Sequence, residues 1–343
     1  MNKVVALGGG TLIIGDALSA LKNISDCSVN TCITSPPYYG LRDYGVDGQL
    51  GLEESPEKYI DRLVEVFREV KRVLRDDGTL WLNIADCYAG SGKGAAQYPD
   101  NAAKYKQGTN KGMVGASKTT TVKTPGIKHK DLIGIPWMLA FALRADGWYL
   151  RQDIIWNKPN CMPESVRDRC TKAHEYIFLL SKSSKYYFDH EAIKEPCVGF
   201  DKSSPRGSKG TLTPNAGRRK GNAKSFRGGG AYTSGRSFDN NAVIDRDTHG
   251  NAPNDTGLRN RRDVWTVATH GCKGNHFATF PAALIEPCVL AGSPHGGVVL
   301  DPFLGSGTVG MVSRDNGRSW IGIELNPEYE SLIIERTKVK ARV

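Results

Sequence analysis

The feature of this sequence that most restricts its fold is a glycine-rich turn between an apolar strand and a helix. The strand is predicted at 298–300, and the helix follows the turn directly. Spaced glycines let the backbone bend tightly and bring its amides close to a ligand. Strands that alternate with helices along the chain predict an α/β fold with a mostly parallel sheet. The turn consists of Asp301, Pro302, Phe303, Leu304, Gly305, Ser306, Gly307, Thr308, Val309 and Gly310.

An acidic residue ends the next predicted strand, where it can accept hydrogen bonds from ribose hydroxyls. Glu324 stands 19 residues after Gly305. A dinucleotide and S-adenosylmethionine both contain such a ribose, and a turn needed only for packing is the third alternative. Asp301 at the strand tip would repel a pyrophosphate but attract the ammonium and sulfonium groups of S-adenosylmethionine, and Phe303 could flank that cofactor. We therefore expect S-adenosylmethionine.

A second motif, Thr34-Ser35-Pro36-Pro37-Tyr38, ends the strand predicted at 29–34. Two successive prolines stiffen the turn and remove two amide donors. Ser35 Oγ and the Pro36 carbonyl can both accept from one amino group, and Tyr38 offers a flat face to a planar ring that has left the DNA stack. Such acceptors would hold the lone pair of a conjugated nitrogen towards a methyl group. Ser35, Pro36, Pro37 and Tyr38 are the predicted catalytic residues, with an ordinary rigid turn as the alternative.

Together these motifs resemble those of the amino-methylating DNA methyltransferases, which use S-adenosylmethionine to modify adenine N6 or cytosine N4. The catalytic motif precedes the cofactor motif, which is similar to the permuted β-type order of that family. The resemblance covers about residues 4–195 and 270–340. It implies the Rossmann-like, mostly parallel sheet of the class I S-adenosylmethionine-dependent methyltransferases, with an inserted target-recognition region. The cofactor-binding residues that it implies are Asp16, Asp301, Pro302, Phe303, Gly305, Ser306, Gly307, Thr308 and Glu324, with Asp16 near the adenine.

The resemblance leaves the methylated base open. Ser35 stands where other members have Asp or Asn, and serine-headed motifs are commoner among the cytosine-N4 enzymes, which slightly favours cytosine over adenine. A methyltransferase acting on RNA or on protein amides, and a non-catalytic DNA-binding protein with the same fold, are further alternatives. Nucleic acid is favoured over protein by the charge distribution.

The net charge of +10 is concentrated in two segments. Residues 89–130 contain eight lysines and no arginine against one aspartate, and residues 198–262 contain thirteen lysines and arginines against five aspartates. Such glycine-rich, basic stretches suit phosphate binding. We therefore predict a basic loop insertion at 89–130 and a target-recognition region at 196–262, inserted in a catalytic domain of residues 1–195 and 263–343. The predicted DNA-binding residues are Arg218, Arg219, Lys220, Arg227, Arg259, Arg261 and Arg262.

Double-stranded DNA is the expected partner, and the resemblance also allows a homodimer and a restriction endonuclease acting in trans. The eight cysteines include no C-x-x-C pair, so we expect no metal site and no disulfide framework. No run of 18 apolar residues is present, so no membrane association is expected. The cysteine pattern favours reduced thiols in a cytosol, and the resemblance implies a cytoplasmic protein, encoded by a bacterium or a phage, that acts on DNA.

Overall fold

The computed structural model describes residues 2–41, 45–89, 126–197, 257–269 and 280–338. The chain divides into two compact units, one of Met1–Ile193 with Arg262–Val343 and the other of Lys194–Arg261. The basic loop predicted at 89–130 and most of the region predicted at 196–262 lie outside the described residues. In the smaller unit, strands β7 (Glu195–Pro196) and β8 (Leu258–Arg259) pair in antiparallel fashion.

The described part of the larger unit contains one nine-stranded sheet. Its strands are β1 (Lys3–Leu7), β2 (Gly10–Ile14), β3 (Val29–Thr34), β4 (Leu74–Ile84), β5 (Tyr149–Asn157), β6 (His174–Ser181), β9 (Val264–Thr266), β10 (Val298–Asp301) and β11 (Ser319–Glu324). Its helices are α1 (Ala17–Leu21), α2 (Pro56–Val73), α3 (Ile135–Ala145), α4 (Ala282–Gly292), α5 (Thr308–Asp315) and α6 (Glu330–Thr337), the last preceded by a short 3₁₀ helix, Pro327–Tyr329.

Across the sheet the strands follow the order β1-β2-β11-β10-β3-β4-β6-β5-β9. The central strands β2, β11, β10, β3 and β4 are parallel neighbours. Strand β6 is antiparallel to both β4 and β5, so β5 runs in the direction of β4. The predicted α/β fold with a mostly parallel sheet is confirmed, and β1 and β6 are its antiparallel members.

Strands β3 and β10 are adjacent, and the chain leaves them in opposite directions across the sheet. From β3 the chain passes through α2 to β4 on one side, and from β10 it passes through α5 to β11 on the other. In open α/β sheets, such a switch in strand order leaves a crevice at the carboxyl ends of the strands, where ligands bind. The predicted catalytic and cofactor turns follow these two strands directly.

Helices cover both faces of the sheet. Helices α1, α2 and α3 pack with one hydrophobic cluster, and α4 and α5 pack with another. Helix α2 begins where Ser55 caps it by accepting from Lys58 N, with Pro56 at the first helical position. Its buried stripe, which includes Tyr59, Leu63 and Phe67, recurs at helical spacing as predicted.

Two helix ends differ from those that the sequence predicts. The sequence predicts a helix that begins at Ser55-Pro56 and is stopped by Asp77-Gly78, but α2 ends at Val73, and β4 begins at Leu74, where it pairs with Val29. It also predicts a last helix from about Pro327, but Pro327–Tyr329 forms a 3₁₀ turn and α6 begins at Glu330. Both differences lie at element ends, where sequence signals fix a boundary only within a few residues.

Candidate functional site

The predicted catalytic and cofactor motifs meet at one edge of the sheet. The parallel strands end at this edge, and β6 starts there because it is antiparallel to its neighbours. The ends of β2, β11 and β10 lie on one side of the crevice, and the ends of β3, β4 and β5 lie on the other. The residues predicted to bind the cofactor therefore occupy one half of the edge, and the predicted catalytic turn begins the other half.

A buried hydrogen bond joins the two halves. Thr34, the last residue of β3, donates from Oγ1 to Asp301 Oδ1 at the end of β10 over 2.6 Å. The backbone amide of Phe303 donates to the same oxygen over 3.0 Å. Because Ser35 follows Thr34 directly, the predicted catalytic turn starts one residue from a side chain that contacts the cofactor turn.

Asp301 has a buried carboxyl group, and only one of its two oxygens accepts hydrogen bonds within the described structure. The residue is 1% exposed, and Oδ2 has no hydrogen-bond partner among the residues that the structure describes. Burial raises the pKa of Asp301 to about 7, although the bonds from Thr34 and Phe303 favour the charged form. A buried, unsatisfied carboxylate oxygen is suited to a cationic ligand, which would compensate its desolvation.

The glycine turn after Asp301 is held by the acidic residue predicted to contact ribose. Gly305 and Gly307 have φ values of +55° and +82°, which side chains other than glycine rarely adopt. Glu324 accepts from Gly305 N at Oε2 and from Asn326 N at Oε1, each over 2.8 Å. Burial raises the pKa of Glu324 to about 7. Each carboxylate oxygen of Glu324 retains a second lone pair, so both can still accept a hydrogen bond from a ligand.

Arg336, in helix α6, donates hydrogen bonds to the same turn. The sequence motifs do not predict this residue. Its Nη1 donates to Ser306 O over 2.7 Å, and its Nη2 donates to Thr308 Oγ1 over 3.2 Å. Ser306 Oγ is also a partner of Arg336. The hydroxyl groups of these two predicted cofactor residues are thus engaged within the protein. Pro302 is buried, and Phe303 is half-buried against the cluster shared with α1, α2 and α3.

Asp16 lies at the far end of this half, after β2. Its neighbour Gly15 donates from the backbone to Glu324 O over 2.8 Å, which places the loop beside the end of β11. The Asp16 carboxylate caps α1 by accepting from Ser19 N over 2.9 Å, and the residue is exposed. Asp16, Glu324 and Asp301 therefore lie at or just after the ends of three adjacent strands.

The Pro-Pro turn is fixed by contacts with α2 and with the loop before it. Tyr59 Oη donates to Pro37 O over 2.7 Å, and Gly40 N donates to Gly51 O over 2.7 Å. Gly51 has φ +93°, and a Cβ there would lie 2.9 Å from Tyr38 O. The turn is therefore rigid on both sides. Ser35 remains half-buried at its start.

The hydroxyl of Tyr38 joins Ser35 to residues on other strands. Ser35 Oγ donates to Tyr38 Oη over 3.2 Å, and Tyr38 Oη donates to Glu175 Oε2 over 2.7 Å. Asn83, in β4, donates from Nδ2 to the same Glu175 oxygen over 3.2 Å, and Lys158 forms an ion pair with the other. Burial, and then the Glu175 charge, raise the pKa of Tyr38 well above its usual value, so the phenol stays protonated.

Glu175 and Lys158 belong to no motif that predicts a site. Glu175 is the second residue of β6, and it reaches the edge only because β6 is antiparallel. Lys158 follows the end of β5. No local sequence signal marks them. The structure identifies them by the direction of β6 and by the burial of the charged pair, whose side chains are 18% and 12% exposed.

Of the predicted DNA-binding residues, three are described and four are not. Arg218, Arg219, Lys220 and Arg227 lie outside the described residues. Arg259, in the smaller unit, forms an ion pair with Glu195 over 2.9 Å. Arg261, also in the smaller unit, is half-buried, and Arg262 is exposed in the larger one.

Comparison with known proteins assigns the chain to a family. The sequence matches the profile N6_N4_Mtase, described as DNA methylase, over residues 29–335. The chain belongs to this family of DNA methylases. It is 44% identical over 335 residues to the type II methyltransferase M.Cfr9I of Citrobacter freundii, a match that covers 98% of this chain and 90% of the relative. It is 46% identical over 325 residues to M.SmaI of Serratia marcescens, covering 95% and 89%.

Solved structures agree on the fold. The PvuII DNA methyltransferase, named as cytosine-N4-specific, superimposes with a TM-score of 0.60 at 16% identity, covering 98% of this chain and 89% of the other. A putative DNA modification methylase of Thermus thermophilus, complexed with S-adenosyl-L-methionine, gives a TM-score of 0.51 at 23% identity, covering 94% and 92%. The predicted class I methyltransferase fold is thereby confirmed.

This DNA methylase is an S-adenosylmethionine-dependent enzyme that methylates an exocyclic amino group in DNA. The residues at the edge fit that cofactor, because the buried Asp301 Oδ2 lacks a partner in the described structure and S-adenosylmethionine carries cationic groups. Within the described residues, no three His, Cys, Asp or Glu side chains are grouped as metal ligands. In the same part of the chain, no helix has the length and apolarity needed to span a bilayer.

Proposed function

We propose that this DNA methylase transfers the methyl group to N4 of cytosine within a specific duplex sequence. The observation that carries the proposal is the direct link between the two turns, in which Thr34 bonds Asp301 and Ser35 follows Thr34. Ser35 stands where other family members carry Asp or Asn, and serine-headed motifs are commoner among the cytosine-N4 enzymes. Adenine N6 is the alternative target.

In this mechanism the target base leaves the duplex and enters the crevice beside the Pro-Pro turn. Ser35 Oγ and the Pro36 carbonyl accept the two amino hydrogens, while Tyr38 packs against the ring. Tyr59 holds the next carbonyl, that of Pro37, so the turn cannot relax. Fixed acceptors of this kind orient the nitrogen lone pair at low entropic cost.

The cofactor residues are proposed to act from the opposite half of the crevice. Asp301 faces the cationic end of S-adenosylmethionine, Glu324 accepts from the ribose, and Asp16 lies near the adenine. Backbone groups of Gly305, Ser306, Gly307 and Thr308 approach the cofactor, beside Pro302 and Phe303. When bound, S-adenosylmethionine would supply the electrophilic methyl group: its S–CH₃ bond would break as the N–CH₃ bond forms, a neutral thioether would leave, and the proton released by the amino nitrogen would pass to water.

The two basic segments, 89–130 and 196–262, are proposed to bind DNA, the second reading its sequence. Lysine and arginine there would mostly contact phosphates, and a few would contact base edges. A restriction endonuclease that cuts the same unmethylated sequence is the proposed partner in trans, and the cytoplasm is the proposed location. Light scattering of the purified protein distinguishes a monomer from a homodimer.

Nucleoside mass spectrometry of DNA from bacterial cells expressing the chain tests the proposal. We expect N4-methylcytosine above the level in cells with the empty vector. N6-methyladenine alone would transfer the assignment to the alternative base. Soluble protein that binds DNA and yields neither nucleoside would contradict the proposal.

The Ser35→Ala variant tests the role of the turn. It removes one acceptor for the amino group, so the methylation rate should fall about 10- to 100-fold while cofactor affinity stays near that of the wild type. Single-turnover rates and calorimetric binding of S-adenosylmethionine separate the two effects. An equal loss of both would show that Ser35 supports the cofactor site instead.

A further inference from the structure

The hydrogen bonds around Tyr38 form a chain whose direction is fixed at one end. An ionised carboxylate can only accept, so the single hydrogen of Tyr38 Oη points to Glu175 Oε2 over 2.7 Å. Tyr38 Oη can then only accept in its bond with Ser35 Oγ, 3.2 Å away. The hydroxyl hydrogen of Ser35 is thereby used, and the lone pairs of Ser35 are left for a substrate donor.

Donors surround the Glu175 end of this chain. Lys158 Nζ forms an ion pair with Oε1, and Asn83 Nδ2 donates to Oε2 over 3.2 Å. Asn83 is itself oriented by a second bond to Tyr176 O over 3.1 Å. The amide oxygen of Asn83 lies 3.2 Å from Tyr38 Oη, farther than the Glu175 oxygen. Lys158, Asn83 and Tyr38 therefore all direct donors at the Glu175 carboxylate, which is their common acceptor.

We propose that Glu175 is a positioning residue for methyl transfer. It sets the direction of the chain through Tyr38 and so presents Ser35 Oγ to the base as an acceptor. This inference rests on the role proposed for Ser35. A hydroxyl hydrogen pointing into the crevice would instead oppose the amino hydrogens of the base and leave the lone pair poorly oriented.

A purely structural role explains the Lys158–Glu175 pair less well. Largely buried ion pairs contribute little net stability, because desolvation offsets their attraction. This pair also lies at the carboxyl edge of the sheet, where α/β folds bind ligands, and is one hydrogen bond from Tyr38.

Two variants interrupt the chain at different points. Glu175→Gln introduces an amide that can donate to Tyr38 and reverse the chain. Tyr38→Phe keeps the ring and leaves the contacts among Glu175, Lys158 and Asn83 in place, so it tests the chain even where Glu175→Gln folds poorly. Glu69→Gln is the matched control, because Glu69 forms a half-buried ion pair with Arg72 in α2, over 2.8 Å, away from the edge.

The experiment is a double-mutant cycle on the full-length protein, with plasmid DNA and labelled S-adenosylmethionine. Each single variant should lower the single-turnover rate at least about tenfold, with cofactor affinity within about twofold of the wild type. The double variant should be no slower than the slower single variant. In a Ser35→Ala background, Glu175→Gln should have no further effect, because the residue acts through Ser35. Glu69→Gln should keep the wild-type rate.

The outcomes separate this inference from the proposed function. If Ser35→Ala is slow but Glu175→Gln and Tyr38→Phe are both as fast as the wild type, Glu175 does not position the turn and the proposed function stands. If Ser35→Ala keeps the wild-type rate, the proposed role of Ser35 fails and this inference fails with it. If the rate losses of Glu175→Gln and Tyr38→Phe multiply in the double variant, the two residues act independently. That result would also contradict the proposed chain of hydrogen bonds.

Discussion

Asp301 and Glu324 place two buried carboxyl groups at neighbouring strand ends. Burial raises the pKa of each to about 7, from ordinary values of 3.8 and 4.5. Since the folded pKa exceeds the unfolded one, protonation favours the folded state. Stability of the cofactor-free protein should therefore fall as the pH rises from about 4 to about 7 and then level off. A bound cation would reverse this preference by favouring the charged form of Asp301.

Calorimetric titration at several pH values tests this at Asp301. Affinity for S-adenosylmethionine should rise with pH up to about 7, by at most about tenfold per pH unit for one group. Asp301→Asn should weaken binding at pH 8 and reduce the pH dependence, because the amide carries no charge. Asp315→Asn, at an exposed carboxylate paired with Arg314, is the control and should match the wild type. A wild-type affinity that does not vary with pH would contradict the assignment.

At the scale of elements, helix α6 supports the cofactor turn that precedes α5. Arg336 contacts Ser306 and Thr308, and its own backbone carbonyl accepts from Arg314 Nη1 over 3.0 Å. The turn also contains glycines at positive φ, whose conformation no side chain of their own restrains. The shape of the turn therefore depends on an element beyond the cofactor motif.

Arg336→Gln should loosen this turn without removing any predicted cofactor contact. We expect affinity for S-adenosylmethionine to fall about 5- to 50-fold, since the lost bonds involve a charged donor and a mostly buried turn. The rate at saturating cofactor should change less than the affinity does. Calorimetry and a cofactor titration of the methylation rate measure these quantities. Arg75→Gln, which removes an exposed pair with Asp77, is the control, and an equal effect there would refute the argument.

The elements beside the crevice could be predicted from the sequence, and several others could not. Strands β3 and β11 have the ranges that the sequence predicts, 29–34 and 319–324, because apolar runs and turn residues are local signals. Helix α4 was missed because apolar residues surround it and Pro287 interrupts it, so it has no amphipathic period. The direction of β6 could not be predicted either, because the apolar pattern of a strand is the same whether it runs parallel or antiparallel to its neighbours. Glu175 therefore could not be placed at the site from sequence alone.

At the scale of the whole molecule, the positive charge is separated from the catalytic machinery in the sequence. The net charge of the whole chain is +10, but the net charge of residues 89–130 and 198–262 together is larger than this. The remaining residues therefore carry a net negative charge. A DNA duplex would be repelled by an acidic body unless basic segments contacted its phosphates. The residues at the crevice are proposed to provide the chemistry, and the basic segments are expected to provide most of the DNA affinity.

Replacing Arg218, Arg219 and Lys220 with glutamine tests this division of roles. Each phosphate contact releases a counterion, so the slope of log affinity against log salt should become shallower by up to about 3. Affinity for S-adenosylmethionine should not change, because the predicted cofactor residues lie at or just after the ends of β2, β10 and β11. Fluorescence anisotropy with a labelled duplex over a range of salt concentrations measures the slope. Replacing Lys22, Lys58 and Arg75, which lie on or beside other elements of the larger unit, is the matched control. If both triple variants keep the wild-type slope, the cluster does not contact phosphates; if both lower it equally, binding follows total charge rather than the predicted region.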